Sequence, residues 1–543
     1  MSIKSQDNPT VAYFCMEYGL QNDLKLYAGG LGILAGDYLK GAKDEGLPII
    51  GLGIKWKQGY TDQFIGDDGA PYDTFTNRDY DLEDTGVTVP VTIRGHEVTV
   101  KVWKTEAYGN ATLYLLDTDI EQNNGDDRWI CGQLYGWFKE ERLAQEIVLG
   151  IGGVRALRAL DIDVDVYHFN EGHAVLAALE LIEEEKSRGF SFEEAWRKTK
   201  SQVVFTTHTP VVQGNESHEL RTMEFMGAFR GLDAEEMTRI GGDPFNMTVA
   251  ALRLSRKSNA VAMLHAETAN KMWHHVAGRS EIVGITNCIH TPTWVDARIT
   301  DAYQKNKPLL PVHNTVKGEL IDFIEERTGA KLKADSILIG FSRRAATYKR
   351  SDLIFSDMEM IEPYLKSGKL QIVFSGKAHP FDDTGKEIVS NLVAMMKAYP
   401  NSVVFLENYD MNIGRMLTRG SDVWLNNPRR PQEASGTSGM KASMNGVLNC
   451  SILDGWWPEA CVDGENGWQI GDGFESDSDE ELDASDLASL YDVLLNKVLP
   501  TYYDDADKWE AMMRESIKTT SEPFAMKRML EDYYTKLYRT DAI

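Results

Sequence analysis

A loop of small residues ending in a lysine, Glu433-Ala-Ser-Gly-Thr-Ser-Gly-Met-Lys441, is the segment of this sequence best suited to anion chemistry. Such a loop, opening onto a helix, presents unpaired backbone N–H groups that suit a phosphate. The same composition also makes ordinary turns, and a single lysine is most often a surface charge. A second segment changes that balance. Arg343-Arg-Ala-Ala-Thr-Tyr-Lys-Arg350 follows an apolar run and puts four basic residues within eight positions. Arginine offers a planar fork to phosphate oxygens and lysine a compact point charge. A basic helix face paired with acidic neighbours is the bland alternative. Tyr27-Ala-Gly-Gly-Leu-Gly32 adds a glycine loop for close backbone approach, though tight helix packing explains it equally well. His173 and His208 each follow an apolar run, where a hydrogen-bonded buried histidine competes with a site residue.

Composition sets these basic residues against their background. The 543-residue chain has a formal charge of −26, which argues against a nucleic-acid partner and means that an anion would need a local basic pocket. Much of the excess lies in Glu475–Asp486, which reads as a solvated acidic surface. Five scattered cysteines show no C-x-x-C pair, which fits a reducing compartment. No H-E-x-x-H or H-x-x-x-H pattern offers a metal site. No apolar run reaches the roughly 20 residues needed to span a bilayer, and Met1–Thr10 is polar, unlike a signal peptide. The expectation is a cytoplasmic protein with no membrane partner. A homo-oligomer is compatible with the sequence.

The elements that must position these residues follow from periodicity. Strands are predicted at Ser336–Phe341, Leu370–Phe374, Ser402–Leu406, Asp422–Leu425 and Val447–Leu453, with amphipathic helices at Asp352–Lys366 and Lys386–Tyr399. The first half repeats this grammar, with a helix at Glu141–Leu160, strands at Asp165–Phe169 and Val203–Thr206, and a helix at Ala174–Lys186. Asp68–Asp117 is rich in β-formers and predicts an antiparallel excursion. Alternation of this kind implies an α/β fold with parallel sheets covered on both faces. The expected architecture is two Rossmann-like lobes facing a central cleft, with ligands at the carboxyl ends of the strands. The boundaries expected are 1–286 for an amino-terminal lobe with the β-rich insertion and 287–520 for a carboxyl-terminal lobe. A helix in 521–543 is expected to pack back on the first lobe.

Taken together, these residues resemble the α-glucan phosphorylase family, of the GT-B architecture. Glu433–Lys441 with Asn445-Gly446 and Asp454-Gly455 is similar to the family's signature around its pyridoxal-phosphate lysine, and Phe405-Leu-Glu-Asn-Tyr409 to the segment upstream of it. Arg344 and Lys349 match its phosphate-binding pair; Gly29–Gly32, His173, His208 and Asn287 also find counterparts. The wording EASGTSGMKASMNG and QEIVLGIGGVRALRAL looks like the compact bacterial and archaeal branch, for which no nucleotide or phosphoserine switch is expected. Two positions depart from the family pattern: Cys288 stands where glycine is usual, and Ala346 where the larger type has histidine.

The resemblance implies reversible phosphorolysis of terminal α-1,4-linked glucose from glycogen, starch or maltodextrin, giving α-glucose 1-phosphate with retention. It implies pyridoxal 5′-phosphate on Lys441, its phosphate held by Arg343 and by backbone groups of Thr437 and Ser438, with Tyr409 and Trp294 around its ring. Inorganic phosphate falls to Arg344, Lys349 and the Gly29–Gly30 loop. Sugar hydroxyls fall to Glu433, Ser435, Gly436, Asn287, His173 and His208. Here the cofactor's phosphate works as acid–base partner, unlike the electron-sink use of its ring elsewhere. With no carboxylate nucleophile evident, a paired-carboxylate hydrolase is disfavoured. The rival readings are a nucleotide-sugar glucosyltransferase of the same architecture, which needs no cofactor on Lys441, and a non-catalytic glucan-binding protein.

Overall fold

The computed structural model describes residues 8–136 and 139–539, so Met1–Asp7 of the polar start lie outside it. The chain divides into two compact units: Met1–Tyr60, Phe75–Thr286 and Met526–Ile543 form one, and Thr61–Thr74 with Asn287–Ala525 form the other.

The first unit is built on a nine-stranded sheet. In chain order its strands are β1 (Val11–Phe14), β2 (Ile49–Ile54), β3 (Glu83–Ile93), β4 (His96–Thr105), β5 (Leu113–Asp117), β6 (Val166–Asn170), β7 (Val203–Thr206), β8 (Lys257–Ala260) and β9 (Ile282–Gly284). They lie in the order β9-β8-β7-β6-β1-β2-β5-β4-β3. Pairing is parallel from β9 to β5 and antiparallel across β5-β4-β3, the excursion that the β-formers predict. The expected helix at Glu141–Leu160 is observed as Glu140–Ala159, with a π-helical turn at Val148–Gly152 between two α-helical stretches.

A buried polar chain ties the last helix of this unit, Met526–Tyr533, and the turn Tyr534–Tyr538 to the strands. His168 on β6 bonds Tyr538 Oη at 2.7 Å through Nδ1 and Thr206 Oγ1 at 2.7 Å through Nε2. Thr206 in turn donates to Asn259 on β8 at 2.6 Å, and Asn259 Nδ2 donates to Tyr533 Oη at 3.3 Å. Burial pushes His168 down to about 3, so the ring is neutral and one nitrogen accepts while the other donates.

The second unit carries six parallel strands: β10 (Ile337–Ser342), β11 (Leu370–Ser375), β12 (Val403–Leu406), β13 (Val423–Asn426), β14 (Leu448–Ile452) and β15 (Gly467–Ile470). Their order is β12-β11-β10-β13-β14-β15, reversing direction of travel beside β10, with Ile337 opposite Leu370 and Ile339 opposite Val423. Alternate residues feed two apolar cores. Ile337, Ile339, Phe341, Ile372, Val403 and Val423 join one, while Leu338, Val373, Val404 and Trp424 join the other. Both faces of the sheet are therefore covered, which is why the strands read as continuous apolar runs. A short hairpin, Asp62–Ile65 with Pro71–Thr74, belongs to this unit, held by Lys386 on Asp73 at 2.6 Å.

At the entry to β13 sits a buried charge cluster. Asp422 accepts from Lys317 Nζ at 2.6 Å, His313 Nε2 at 2.9 Å and the Leu338 N–H at 2.8 Å. Lys317 and Asp422 are 1% and 2% exposed, so neither ion has water to fall back on. Removing one partner of a buried pair costs about 3–5 kcal/mol, because the other charge is left uncompensated. Lys317→Met is expected to lower the urea midpoint of the second unit accordingly, followed by far-UV circular dichroism; an unchanged midpoint would show the cluster to be dispensable.

Candidate active site

The loops leaving the carboxyl ends of β10 and β13 bring Arg343, Lys349 and Glu433 together, with Asp454 after β14 against the Glu433 main chain. Arg343 directly follows β10. Its Nη2 donates to Glu433 Oε2, and its Nη1 donates to Asn426, the last residue of β13, at 2.5 Å. Lys349, in a 3₁₀ turn at Thr347–Lys349, donates to the same Glu433 oxygen at 2.5 Å. All three side chains are 7–8% exposed. Burial alone would raise the Glu433 carboxyl, but Arg343 and Lys349 override it and hold it below the ordinary carboxylate range.

The other two basic residues of this run part company. Arg350 is structural: Nε and Nη2 donate to the Asn427 and Pro428 carbonyls, each at 2.8 Å, and its guanidinium also binds Asp483 at 2.8 Å and Asp486 at 2.7 Å. Arg429 joins Asp483 at 2.8 Å, and Arg430 joins Glu475 at 2.9 Å. Part of the acidic segment expected to be solvated thus neutralises arginines. Arg344 is exposed, unlike the buried Arg343–Lys349–Glu433 group beside it in sequence.

Glu433 is fixed at its main chain by a residue that sequence reasoning quoted but gave no task. Asp454, following β14, accepts the Glu433 N–H at 2.9 Å and the Gly455 N–H at 2.8 Å. Trp456 N–H donates to Ser435 O at 2.9 Å. Gly455 has φ +59°, and a Cβ there would lie 2.2 Å from Ser435 O, so only glycine lets the two loops meet. The aspartate-glycine pair beside the signature was the available signal.

Beyond Ser435 the chain turns through Gly436, at φ +86°, into the helix Thr437–Met444. Thr437 and Ser438 form its first turn, and Ser438 Oγ accepts from Trp424 Nε1 at 3.2 Å. Lys441 lies one turn on, 5% exposed, with Nζ 3.6 Å from the centroid of the buried Trp294 ring. Asn445 ties this helix to Trp294, donating to its carbonyl at 3.2 Å. Tyr409, after β12, is pushed up to about 12, chiefly by burial, although nearby Arg343 pulls the other way. Ser435 Oγ and Asn287 Oδ1 are buried with no hydrogen-bond partner. Cys288, beside Asn287, is buried with Sγ 3.6 Å from the Pro523 carbonyl.

The first unit gathers its candidates at the ends of β1, β6 and β7. His208 Nε2 meets Asn170 Oδ1 at 2.6 Å, and the His208 N–H donates to Glu171 at 2.9 Å. Burial lowers His208 to about 3 and His173 to about 4, so both rings are neutral. Gly29 and Gly30 open the helix Gly30–Glu45, and a Cβ at either would meet nothing within 4 Å. Glu17 was not anticipated: its carboxylate accepts the Ala28 and Gly29 N–H groups at 2.7 and 3.0 Å and the Tyr135 hydroxyl at 2.9 Å, fixing the glycine loop.

Behind His173 lies a second unforeseen group. Arg142 pairs with Glu216, and His218 Nε2 meets Glu146 at 3.0 Å. Glu146, Glu216 and His218 present ligand atoms within 4.8 Å of one another, a spacing open to a cation, but Arg142 already brings positive charge to Glu216. Burial pushes both carboxyls up to about 7. No helix among the described residues is long and apolar enough to cross a membrane.

Comparison with known proteins decides what this assembly serves. Residues 295–471 match the carbohydrate phosphorylase family model. Over 97% of this chain, the sequence is 39% identical to a maltodextrin phosphorylase of Thermococcus litoralis, covering 70% of that protein. It is 35% identical to a glycogen phosphorylase of Aquifex aeolicus, covering 86% of its length, and 36% identical to an uncharacterized protein of Methanocaldococcus jannaschii, covering 99%. The chain belongs to the carbohydrate phosphorylase family. Its activity is α-glucan phosphorolysis, a glycosyl transfer to inorganic phosphate, and its cofactor is pyridoxal 5′-phosphate.

The residues present fit that cofactor. A buried lysine over an indole ring, the first turn of a helix, a buried cationic pair and two orphaned polar atoms occur together in the second unit. These are the groups that an aromatic aldehyde carrying a phosphate calls for.

Asp454 supplies a pH signature. Burial pushes its carboxyl up to about 8, with Glu433 adding to the rise. Its folded pKa lies above the ordinary value near 3.9, so between about pH 4 and 8 the folded state holds a proton the unfolded chain has lost. Stability must fall as pH rises through that window. Asp454→Asn is expected to flatten this part of the stability–pH curve, measured as urea midpoints at pH 5 and pH 8; parallel curves for the two proteins would remove Asp454 as the titrating group.

Proposed function

We propose that this chain releases single glucose units as α-glucose 1-phosphate from the ends of linear α-1,4-glucans of the maltodextrin type. The observation that carries this reading is the convergence of Arg343 and Lys349 on one carboxylate oxygen, on the loop that leads into the helix of Lys441. The name of the Thermococcus litoralis relative supports the choice of substrate. Five cysteines without a disulfide among them support a cytoplasmic setting.

Roles follow from what each group offers. Lys441 carries the cofactor, with Trp294 and Tyr409 against its ring. Arg343 and the N–H groups of Thr437 and Ser438 take its phosphate. Lys349, joined by Arg344, takes inorganic phosphate. Ser435 Oγ, Gly436 and Asn287 Oδ1 receive sugar hydroxyls, with Glu433 as their charged partner. In the first unit, His208 and His173 are neutral, so they act as hydrogen-bond groups rather than acids. Gly29 and Gly30 offer a backbone approach unobstructed by side chains. When bound, pyridoxal phosphate would supply a phosphate able to serve as an acid–base group beside inorganic phosphate. Glu433, engaged by two cations, is poorly placed to act as a covalent nucleophile.

Incubation of the holoenzyme with maltoheptaose and inorganic phosphate is expected to yield α-glucose 1-phosphate. Lys349→Ala is expected to reduce kcat by about a hundredfold or more, the scale for losing one preorganised charge, while the cofactor's absorbance is retained. Absence of glucose 1-phosphate from the native protein would sink the assignment, and a near-native rate in the variant would sink the role of Lys349.

A further inference from the structure

The cationic pair that serves phosphate is also the pair that Glu433 neutralises. Both donate to Glu433 Oε2, and all three groups are almost wholly out of solvent. Of the remaining basic residues in this run, Arg350 is committed to two carbonyls and two aspartates, and Arg344 is exposed. The buried positive charge at the end of β10 is therefore Arg343 and Lys349, and it already holds an anion that belongs to the chain. Glu433 stays ionised there, because the two cations outweigh its burial.

A phosphate dianion approaching this pair meets an ionised carboxylate on the same donors. Two anions cannot share them without strong repulsion in a low-dielectric site. The Glu433 main chain is anchored by Asp454 and its neighbour Ser435 by Trp456, so the backbone stays in place. Its side chain has two methylene groups about which the carboxylate can turn. We infer that Glu433 is an internal counter-anion that phosphate must displace, and that the displaced carboxylate becomes available to sugar hydroxyls. Phosphate and sugar binding are then positively coupled through one carboxylate, each ligand favouring the arrangement the other needs. This rests on the reading of Arg343 and Lys349 as phosphate ligands given above.

Two phosphates share this chemistry, the cofactor's and the inorganic one, and separate measurements distinguish them. For the first, the full-length chain is resolved of its cofactor and titrated with pyridoxal 5′-phosphate or with pyridoxal, following the bound chromophore's absorbance. For the second, inorganic phosphate is titrated into holoenzyme by calorimetry. Removing one competing charge is expected to tighten phosphate binding by about tenfold, the effect of roughly 1.4 kcal/mol. Glu433→Gln should show this gain for pyridoxal 5′-phosphate, for inorganic phosphate or for both, with pyridoxal affinity unchanged. A gain in one titration alone assigns the exchange to that phosphate. Glu433→Asp, too short to reach both cations, should act in the same direction and covers the case in which the glutamine variant folds poorly. Unchanged or weakened phosphate binding in both variants overturns the inference, as does an equal gain for pyridoxal. Lys349→Ala reports on the underlying assignment: if it leaves inorganic phosphate affinity intact, phosphate binds elsewhere, whatever the Glu433 variants do.

Discussion

Two buried cations have to be kept charged and close together inside a protein whose formal charge is −26. Burying an isolated ion is prohibitively costly, so each must have a counter-charge and its remaining donors must be satisfied. The second unit meets this condition with Glu433 and Asn426, both placed by the exit from β13. From that requirement the neighbourhood follows. Glu433 must be held at its main chain, so Asp454 and Gly455 are brought against its loop. The loop must then turn sharply at Gly436 to enter the helix that carries Lys441.

The parallel sheet is what makes this arrangement affordable in conformational terms. Arg343, Asn426 and Asp454 sit at or just after the carboxyl ends of strands, where successive loops open on the same edge. Strand ends fixed by two apolar cores put Arg343, Asn426 and Asp454 in register without any long-range loop having to find its partner. The first unit repeats the principle with Glu17, Asn170 and His208 at the ends of β1, β6 and β7. In each unit a buried carboxyl group fixes a glycine-bearing loop: Asp454 that of Gly436, Glu17 that of Gly29.

Periodicity in the sequence located the strands because a doubly covered parallel strand is apolar at every position. Ile337–Ser342 and Val403–Leu406 differ from the expected spans by a residue at most. The antiparallel excursion was legible from its β-formers, and in the structure buried and less buried residues alternate along Val98–Val102. What spacing could not convey was the sorting of the basic run. Arg343, Arg344, Lys349 and Arg350 look alike in sequence, yet one is pinned to carbonyls, one is exposed and two share a carboxylate. That outcome depends on a 3₁₀ turn and on Asn427 and Glu433, many residues distant. Equally hidden were Glu17, Glu146, Glu216 and His218, whose partners come from separate elements. The acidic segment was read as solvated because a charge run carries no mark of its partners; the structure gives Asp483 and Asp486 to Arg350.

The His168 chain carries one more implication, and it concerns the order in which the molecule can be made. Tyr533 and Tyr538 supply the hydroxyls that complete a polar line running through β6, β7 and β8, and Met526 and Leu530 fill the space above Gly41. Those side chains are encoded after the whole of the second unit. A ribosome therefore delivers a first unit with a gap in its interior, holds it in that state while some 240 further residues emerge, and only then provides the piece that closes it. The unit that begins the chain is the last to be finished.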